Sequence, residues 1–530
     1  MTVPVARHRL RTRPPRGPVR LPELLQSPAE IQPYLQDAAH YPGGHSPCAA
    51  LPRQEGEMAA LLQQAPHLLV VGAQSSLTGG ATPRGEWIAS TQRMTDLQFP
   101  RSDRVRAQAG VPLLTLNREL AERGSFYPAA TTFSGALMGG TVGTNAAGPR
   151  TFKYGATREW VRALRLLLAN GEVLELERGE ARAHPDGYFE IETLEREVIR
   201  VPLPTYRMPD VRKRSAGYHF EAEMDLLDLF IGSEGTLGIV TEVEFSVLPA
   251  DFQLLIGLLG CPRERIALRL AAELCEASRS TWTSGKESGL DIPSLEMIDR
   301  PGLDLVREDR AGNLGGIRLE KHWECVLIFE VELRGETEGD RSPLGQLCRI
   351  LEDHGLLEEL QVALPGENQR AEGIRALREA VPLALHNWIG EARRRTGQPL
   401  RKVAADMIVP FDAVGQALRL YREGFRRRDL DFAIWGHLSD GNLHANVLPR
   451  SLEEVRKGEE AILEFGVQVS RMGGCPLSEH GVGRNQVKQA LLRQLYGERG
   501  IEEMRRVKRA LDPDLILAPG VLFPVTAAQS

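Results

Sequence analysis

Two histidines frame an Asp-Gly step in the segment His437-Leu-Ser-Asp-Gly-Asn-Leu-His444. A two-residue hairpin loop at Asp440-Gly441 predicts the pairs Ser439 with Asn442, Leu438 with Leu443 and His437 with His444. Directly opposed residues on one face have Cβ atoms about 4.5–5.5 Å apart, so both imidazoles would reach one divalent ion. A third ligand is on offer at Glu479, in Leu477-Ser-Glu-His-Gly-Val-Gly483, where glycines let the backbone approach closely and His480 adds an ionisable neighbour. The plain alternative is a tight hairpin with two half-buried histidines, and the Glu479-His480 cluster tips the balance toward a metal. Two imidazoles and one carboxylate suit zinc as the default, with manganese or iron also compatible by ligand type. Asn446 and Asn442 share the hairpin face of His444 by their even spacing, which puts Asn446 within reach of a substrate or ligand.

The elements that position these groups belong to a large chain. Its 530 residues suffice for two or more domains. A composition of 42% hydrophobic and 26% charged residues is ordinary for a globular protein, and a net charge of −6 argues against a dedicated nucleic-acid binder. No apolar run approaches the roughly 18 residues needed to cross a bilayer; Leu254–Leu259 and Leu68–Val71 have the length of buried strands. Cys48, Cys261, Cys275, Cys325, Cys348 and Cys475 lack a Cys-x-x-Cys step and read as reduced core thiols, which points to the cytoplasm. Near the start, Arg7, Arg9, Arg11, Arg13, Arg16 and Arg20 precede the first acid, Glu23, while Pro14 and Pro15 spoil an amphipathic targeting helix. A disordered basic tail followed by a helical stretch from Pro22 to Asp37 is the expectation.

Three glycine-rich loops follow, all beside predicted strands. The strand Leu68–Val71 feeds Gly72-Ala-Gln-Ser-Ser-Leu-Thr-Gly-Gly80, whose backbone N–H groups and hydroxyls suit a diphosphate. It lacks the dinucleotide G-x-G-x-x-G that should open a helix. The second loop runs from Phe133 to Gly148 around Asn145, and the third, Gly232-Ser-Glu-Gly-Thr-Leu-Gly238, leads into a β-rich run from Ile239 to Leu248. Singly each is a turn more often than a cradle. Together they suggest a long ligand lying across several loops.

The series Ser75-Ser-Leu-Thr-Gly-Gly80, Gly139-Gly-Thr-Val-Gly-Thr-Asn145, Lys153-Tyr-Gly155, Ser215-Ala-Gly-Tyr218 and Ile231-Gly-Ser-Glu-Gly-Thr-Leu-Gly-Ile-Val240 resembles the FAD-binding (PCMH-type) domain of the vanillyl-alcohol-oxidase superfamily. The histidine hairpin, Glu479-His-Gly-Val-Gly483 and Leu517-Ala-Pro-Gly520 resemble its FAD-linked oxidase C-terminal domain, and the branch most similar is that of D-lactate, glycolate and D-2-hydroxyglutarate dehydrogenases. The resemblance spans about Tyr41 to Pro524 with the motifs in the family's order. It implies an α+β fold: a basic tail and helix over 1–40, a two-subdomain FAD domain over 41–249, a ferredoxin-like cap on an antiparallel sheet over 250–484, and a C-terminal segment, 485–530, returning to the FAD domain. It also implies a FAD site at Gly72, Ala73, Gln74, Ser75, Ser76, Gly79, Gly80, Pro128, Thr131, Thr132, Gly139, Gly140, Thr144, Asn145, Gly148, Tyr154, Glu234, Gly238, Ile239, Val240 and Asn442.

Departures matter as well. The family's first loop has an Arg-Gly-Gly-Gly-Thr core where this chain has Val71-Gly-Ala-Gln-Ser75, so diphosphate binding falls to backbone, Gln74, Ser75 and Ser76. No histidine or cysteine stands in that loop, which implies non-covalent FAD, and Ala518 replaces the family's Asn before Pro-Gly, removing a polar contact expected near the flavin.

The implied chemistry is oxidation of a D-2-hydroxy acid, lactate- or glycolate-like, with the C2 hydride passing to flavin N5. His480 would be the base, His437, His444 and Glu479 the metal ligands that polarise the hydroxyl, and Arg378 the bidentate clamp on the substrate carboxylate. Relatives acting on dicarboxylates carry a lysine before the acid of Asp-x-x-x-Pro; Ala404-Ala-Asp406-Met-Ile-Val-Pro410 has alanine there, with Lys402 the lysine nearby. Electrons would pass to an external quinone, cytochrome or partner subunit, the location being cytoplasmic or peripheral to the membrane and the assembly compatible with a homodimer. Two alternatives differ in class: a non-redox flavoenzyme similar to alkyl-dihydroxyacetonephosphate synthase, against which Glu479 counts, and an inert FAD-binding subunit. The insertion Gly179–Asp210 carries no assigned chemistry.

Overall fold

The computed structural model describes residues 8–286, 288–309, 316–335 and 339–524. Leu68–Val71, a run of four bulky aliphatics, forms a strand pairing in parallel with Trp87–Ser90. Ala49–Ala50 joins on the far side and Leu24–Leu25 closes a four-stranded sheet. A second sheet is five-stranded and antiparallel, in the order Val173–Glu177, Val161–Leu167, Ile239–Ser246, Arg104–Gln108, Leu97–Arg101. Its central strand buries Ile239, Thr241, Val243 and Phe245 and turns Val240, Glu242, Glu244 and Ser246 outward, the period of two that a strand with one face on a core must show. The glycine-rich loops lie at the ends of these two sheets.

The cap is built on an eight-stranded sheet whose pairings are all antiparallel. Its order is Leu360–Ala363, Gln253–Cys261, Cys325–Leu333, Ser294–Asp299, Phe432–His437, Asn442–Val447 and Val403–Ala404, with Met407–Ile408 also on Asn442–Val447. The helices Glu264–Ser284 and Asn368–Thr396 pack against it. The histidine-bearing strands are therefore internal, with backbone partners on both sides to hold their side chains in place. After the cap, the helix Gln486–Leu511 packs on Val198–Pro202, and Leu68 donates to Ile516 O while Ala518 donates to Leu68 O at 2.7 and 2.9 Å. The segment from Ile516 to Ala518 thus edges the sheet that carries the first loop. The Lys153 ammonium, 2.6 Å from both Asp291 and Glu332, ties the N-terminal half to the cap.

Three expectations change. The described part of the basic tail is ordered: Arg9–Arg11 is a strand pairing with Tyr188–Glu192, which pairs in turn with Val198–Pro202. Arginine at every second position is a strand period, and Arg9 and Arg11 meet Glu192 at 2.8 and 2.9 Å, while Arg13 meets Glu175 at 2.9 Å. Exposed pairs of this kind contribute only about 0–1 kcal/mol each, so the backbone ladder and buried Leu10 carry the docking. Arg7 lies outside the described residues. The predicted helix from Pro22 to Asp37 shrinks to Pro28–Ile31, capped by Ser27 and Glu30, because Pro33 supplies no N–H to continue it. The insertion Gly179–Asp210 supplies the sheet that receives the N-terminal strand and grips the last helix through Thr205 and Glu503, 2.7 Å apart. Among the cysteines, Cys348 is exposed and the other five are buried.

Candidate active site

The hairpin register differs by two residues from the predicted one. His437 pairs with Asn442, Gly436 with Leu443 and Trp435 with His444, leaving the four-residue loop Leu438 to Gly441. Gly441 takes φ +78°, and a Cβ there would stand 2.0 Å from Val409 O. Asp440 cannot sit at an exposed tip because its carboxylate turns inward to Lys213 Nζ, 3.1 Å away. A two-residue slip keeps side-chain parity, so both histidines stay on one face, their ring centroids 5.6 Å apart and nearly perpendicular.

Glu479 completes the group. Its Oε1 lies 3.1 Å from His437 Nε2, 3.2 Å from His444 Nε2 and 3.7 Å from His480 Nε2. The other oxygen is 3.0 Å from the Lys213 ammonium, whose side chain is fully buried. Behind the rings stand two carboxylates. Glu296 Oε1 is 2.6 Å from His437 Nδ1; Asp406 lies 3.8 Å from His444 Nδ1 and 3.5 Å from His480 Nδ1. Ligand atoms of Asp406, His444, Glu479 and His480 also fall within 4.8 Å of one another. Asp406 is the less suited ligand of these, since it already accepts from the His480 backbone N–H at 2.9 Å and from Lys488 at 3.1 Å. His437 Nε2, His444 Nε2 and Glu479 Oε1 converge, and two imidazoles with a carboxylate fit a divalent metal on donor chemistry once the proton shared by His437 and Glu479 is displaced, with Glu296 orienting His437 through Nδ1 as metal-bound histidines require. His444 Nδ1 is buried without a hydrogen bond.

Electrostatics divide the histidines. Burial would push His437 down, but the negative charges of Glu296 and Glu479 outweigh it and raise the ring to about 9. For His480, burial prevails, assisted by His444 and Lys488 against Asp406 and Glu479, and its value falls to about 3. His480 is therefore a neutral imidazole, stacked on His444 at 4.9 Å and 16°. Burial also opposes the charge on Lys213, and Glu479 and Asp440 overcome it, so the ammonium persists.

A cavity of about 340 Å³ runs from the first loop to Glu479 and His480. Gly72, Ala73, Gln74, Ser75, Ser76, Gly80, Thr131, Thr132, Gly139, Gly140, Thr144, Glu234, Gly238, Ile239 and Val240 line it. A Cβ on Gly140, Gly143 or Gly235 would meet nothing within 4 Å, so glycine there leaves room for a ligand instead of a protein neighbour. Such a glycine-walled cradle fits an extended cofactor. Gln74 holds φ +52° where the family has glycine, and its side-chain amide donates to Gln36 O at 2.9 Å. Glu234 accepts from the Val482 and Gly483 N–H groups at 2.8 Å each, which ties the third loop to the segment after His480. Other expected contacts stand elsewhere: the Tyr154 hydroxyl is on Glu332 at 2.5 Å, Asn145 Oδ1 accepts from Arg158 N, and Asn442 donates to Met407 O. Gly79 packs under Tyr41, Gly148 against Ala130 O, and Pro128 is buried away from the lining.

Arg378, on the helix Asn368–Thr396, keeps its side chain 22% exposed with Nη1 3.8 Å from Glu296, and it does not line the cofactor cavity. Asn446 donates to His444 O at 2.9 Å and its own Oδ1 is unpartnered. Sequence reasoning assigns no role to Lys213 or Glu296 and none to Asp406 beyond opening the Asp-x-x-x-Pro step; Lys213 sits two residues before the Ser215-Ala-Gly-Tyr motif, while Glu296 carries no local signal.

Comparison with known proteins matches both halves of the chain. Residues 46–177 match the family model "FAD binding domain" and residues 262–522 match "FAD linked oxidases, C-terminal domain". Glycolate oxidase subunit GlcD of Bacillus subtilis is 28% identical over 465 residues, covering 86% of this chain and 84% of its own. D-lactate dehydrogenase of Anaerostipes hadrus is 27% identical, covering 85% and 82%, and D-2-hydroxyglutarate dehydrogenase of Xanthomonas citri pv. viticola is 27% identical, covering 94% of each. The solved structure of an alkyldihydroxyacetonephosphate synthase shares the fold at a TM-score of 0.58 and 14% identity, covering 94% of this chain and 82% of its own. No described helix is long and apolar enough to cross a membrane. With a FAD binding domain in its first half, the matching C-terminal domain in its second and dehydrogenases among its full-length relatives, the chain belongs to the FAD-linked oxidases and is a flavoenzyme.

Proposed function

We propose that this enzyme oxidises a D-2-hydroxy acid to the 2-oxo acid, using non-covalent FAD and a divalent metal, zinc by default, at His437, His444 and Glu479. The observation that carries this is that Glu479 and His480 line the cofactor cavity itself, so the imidazole cluster and the flavin cradle open onto one space. Bound flavin supplies the two-electron acceptor, and a bound metal supplies Lewis acidity toward the hydroxyl. The chain's own groups do the rest. His480, stacked on His444 and lining the cavity, is the base placed to accept the hydroxyl proton, and its basicity, lowered by burial, makes it dependent on a hydroxyl acidified by a Lewis acid. Arg378 receives the substrate carboxylate, and Asp406 holds the His480 backbone so that the ring stays in place. The second half-reaction delivers two electrons to an external acceptor, a quinone, a cytochrome or a partner subunit.

Anaerobic absorbance of the purified protein tests this, with D- and L-2-hydroxy acids added with and without a chelator. Flavin bleaching by a D-acid, lost with chelator or in His480→Ala, is the expected result. Bound flavin that no hydroxy acid bleaches would sink the proposal and turn the search to non-redox chemistry.

A further inference from the structure

The stretch from Ser478 to Gly483, which carries both Glu479 and His480, lies in neither helix nor strand. Two carboxylates strap it in place, one from each half of the chain. Asp406, from the cap, accepts from the Glu479 and His480 N–H groups at 3.2 and 2.9 Å. Glu234, from the third glycine-rich loop, accepts from the Val482 and Gly483 N–H groups, one on each oxygen, at 2.8 Å. Between the two straps stands Gly481, at φ +76°, where a Cβ would come 3.0 Å from Glu234 Oε1. The Glu234 strap is also where the cofactor loops meet. Its own N–H donates to Gly143 O in the second loop at 2.7 Å, and Thr78 O in the first loop accepts from Arg484 N at 3.0 Å. Thr78, Gly143 and Glu234 all line the cofactor cavity, as Glu479 and His480 do.

Held by Asp406 alone, the segment would run free past two left-handed glycines, Gly481 and Gly483, and ordering such residues is costly in backbone entropy. A ligand that fixes the three loops fixes Glu234 and the strap it makes. A metal on Glu479 orders the same segment from the other end. Two ligands that favour one arrangement of a shared element raise each other's affinity, by the same factor in both directions. We propose that Glu234 is a positioning residue that couples the two sites: flavin in the cavity tightens a metal at His437, His444 and Glu479, and the metal tightens flavin, through the strapped segment. This rests on the flavin and metal sites of the proposed function and adds that neither fills independently of the other.

The test measures four affinities on the full-length protein: zinc by chelator competition with and without FAD, and FAD by its fluorescence with and without zinc. In the parent each ligand should raise the other's affinity by about five- to hundredfold, with one factor for both directions. Glu234→Gln keeps the size of the side chain but leaves one oxygen for two N–H donors. In that variant the factor should fall to about twofold or less, with circular dichroism and melting temperature checking that it folds. A Glu234 that serves stability alone would lower the melting temperature of the variant and leave the factor as it is in the parent, which would overturn the proposal. So would a factor of one in the parent, whether or not the variant folds. Flavin-loaded protein that binds no zinc would remove the metal site and the coupling together, whereas two ligands that bind without affecting each other would remove the coupling alone.

Discussion

Glu296 holds His437 by a 2.6 Å contact from Oε1 to Nδ1, the two residues being directly paired on neighbouring cap strands. The ring is thereby fixed with Nε2 toward Glu479, and the same carboxylate stands 3.8 Å from Arg378. Removing the charge should loosen the ligand without deleting it. Glu296→Gln is expected to weaken metal retention by about 10–100-fold, read by chelator competition and elemental analysis. Unchanged retention would mean that His437 is oriented by something else.

Lys213 lies buried between Glu479 and Asp440, 3.0 and 3.1 Å away. Truncating one partner of a buried charge group leaves the others uncompensated, at a cost of roughly 3–5 kcal/mol. Lys213→Met should therefore lower the denaturant midpoint of the metal-free protein markedly. A midpoint within error of the parent would show that the two carboxylates are relieved by protonation or water.

Asp299 gives the clearest pH dependence. It is buried in the cap, accepts from Gly302 N at 3.0 Å, and has no hydrogen bond at Oδ2. Burial raises its carboxyl from 3.8 to about 7, against the backbone N–H groups that favour the anion. The folded protein then keeps a proton that the unfolded chain loses above about pH 4, so stability falls as pH rises from about 4 through 7 and stays reduced above. Asp299→Asn mimics the neutral acid. It should flatten this slope and raise stability at pH 8 by on the order of 2–4 kcal/mol. Parallel stability–pH curves for parent and variant would refute the assignment.

Ala518 occupies φ +44°, a left-handed conformation, at the position where the family carries Asn. The family residue is thus explained by backbone as much as by any flavin contact, and Ala518 does not line the cofactor cavity. Ala518→Asn should stabilise by about 0.5–1 kcal/mol with little change in flavin affinity. A gain in flavin affinity without a gain in melting temperature would restore the contact explanation.

Local features were legible without the structure. Runs such as Leu68–Val71 and Gln253–Cys261 are strands because apolar, β-favouring residues leave few alternatives, and Gly140 and Gly235 mark a cradle because a Cβ there would meet no protein atom within 4 Å. That His437 and His444 share a face was also legible, since parity survives a slip of two residues. The hairpin loop was not. Its length depends on Lys213 drawing Asp440 inward, and that lysine comes from a distant segment. The N-terminal arginines likewise became a strand only because Tyr188–Glu192 offers an edge and acids to meet them. Charges such as Glu296, Asp406 and Lys213 have ordinary local surroundings in the chain. They become site residues when folding removes water and brings opposite charges to about 3 Å, a condition that long-range packing alone creates.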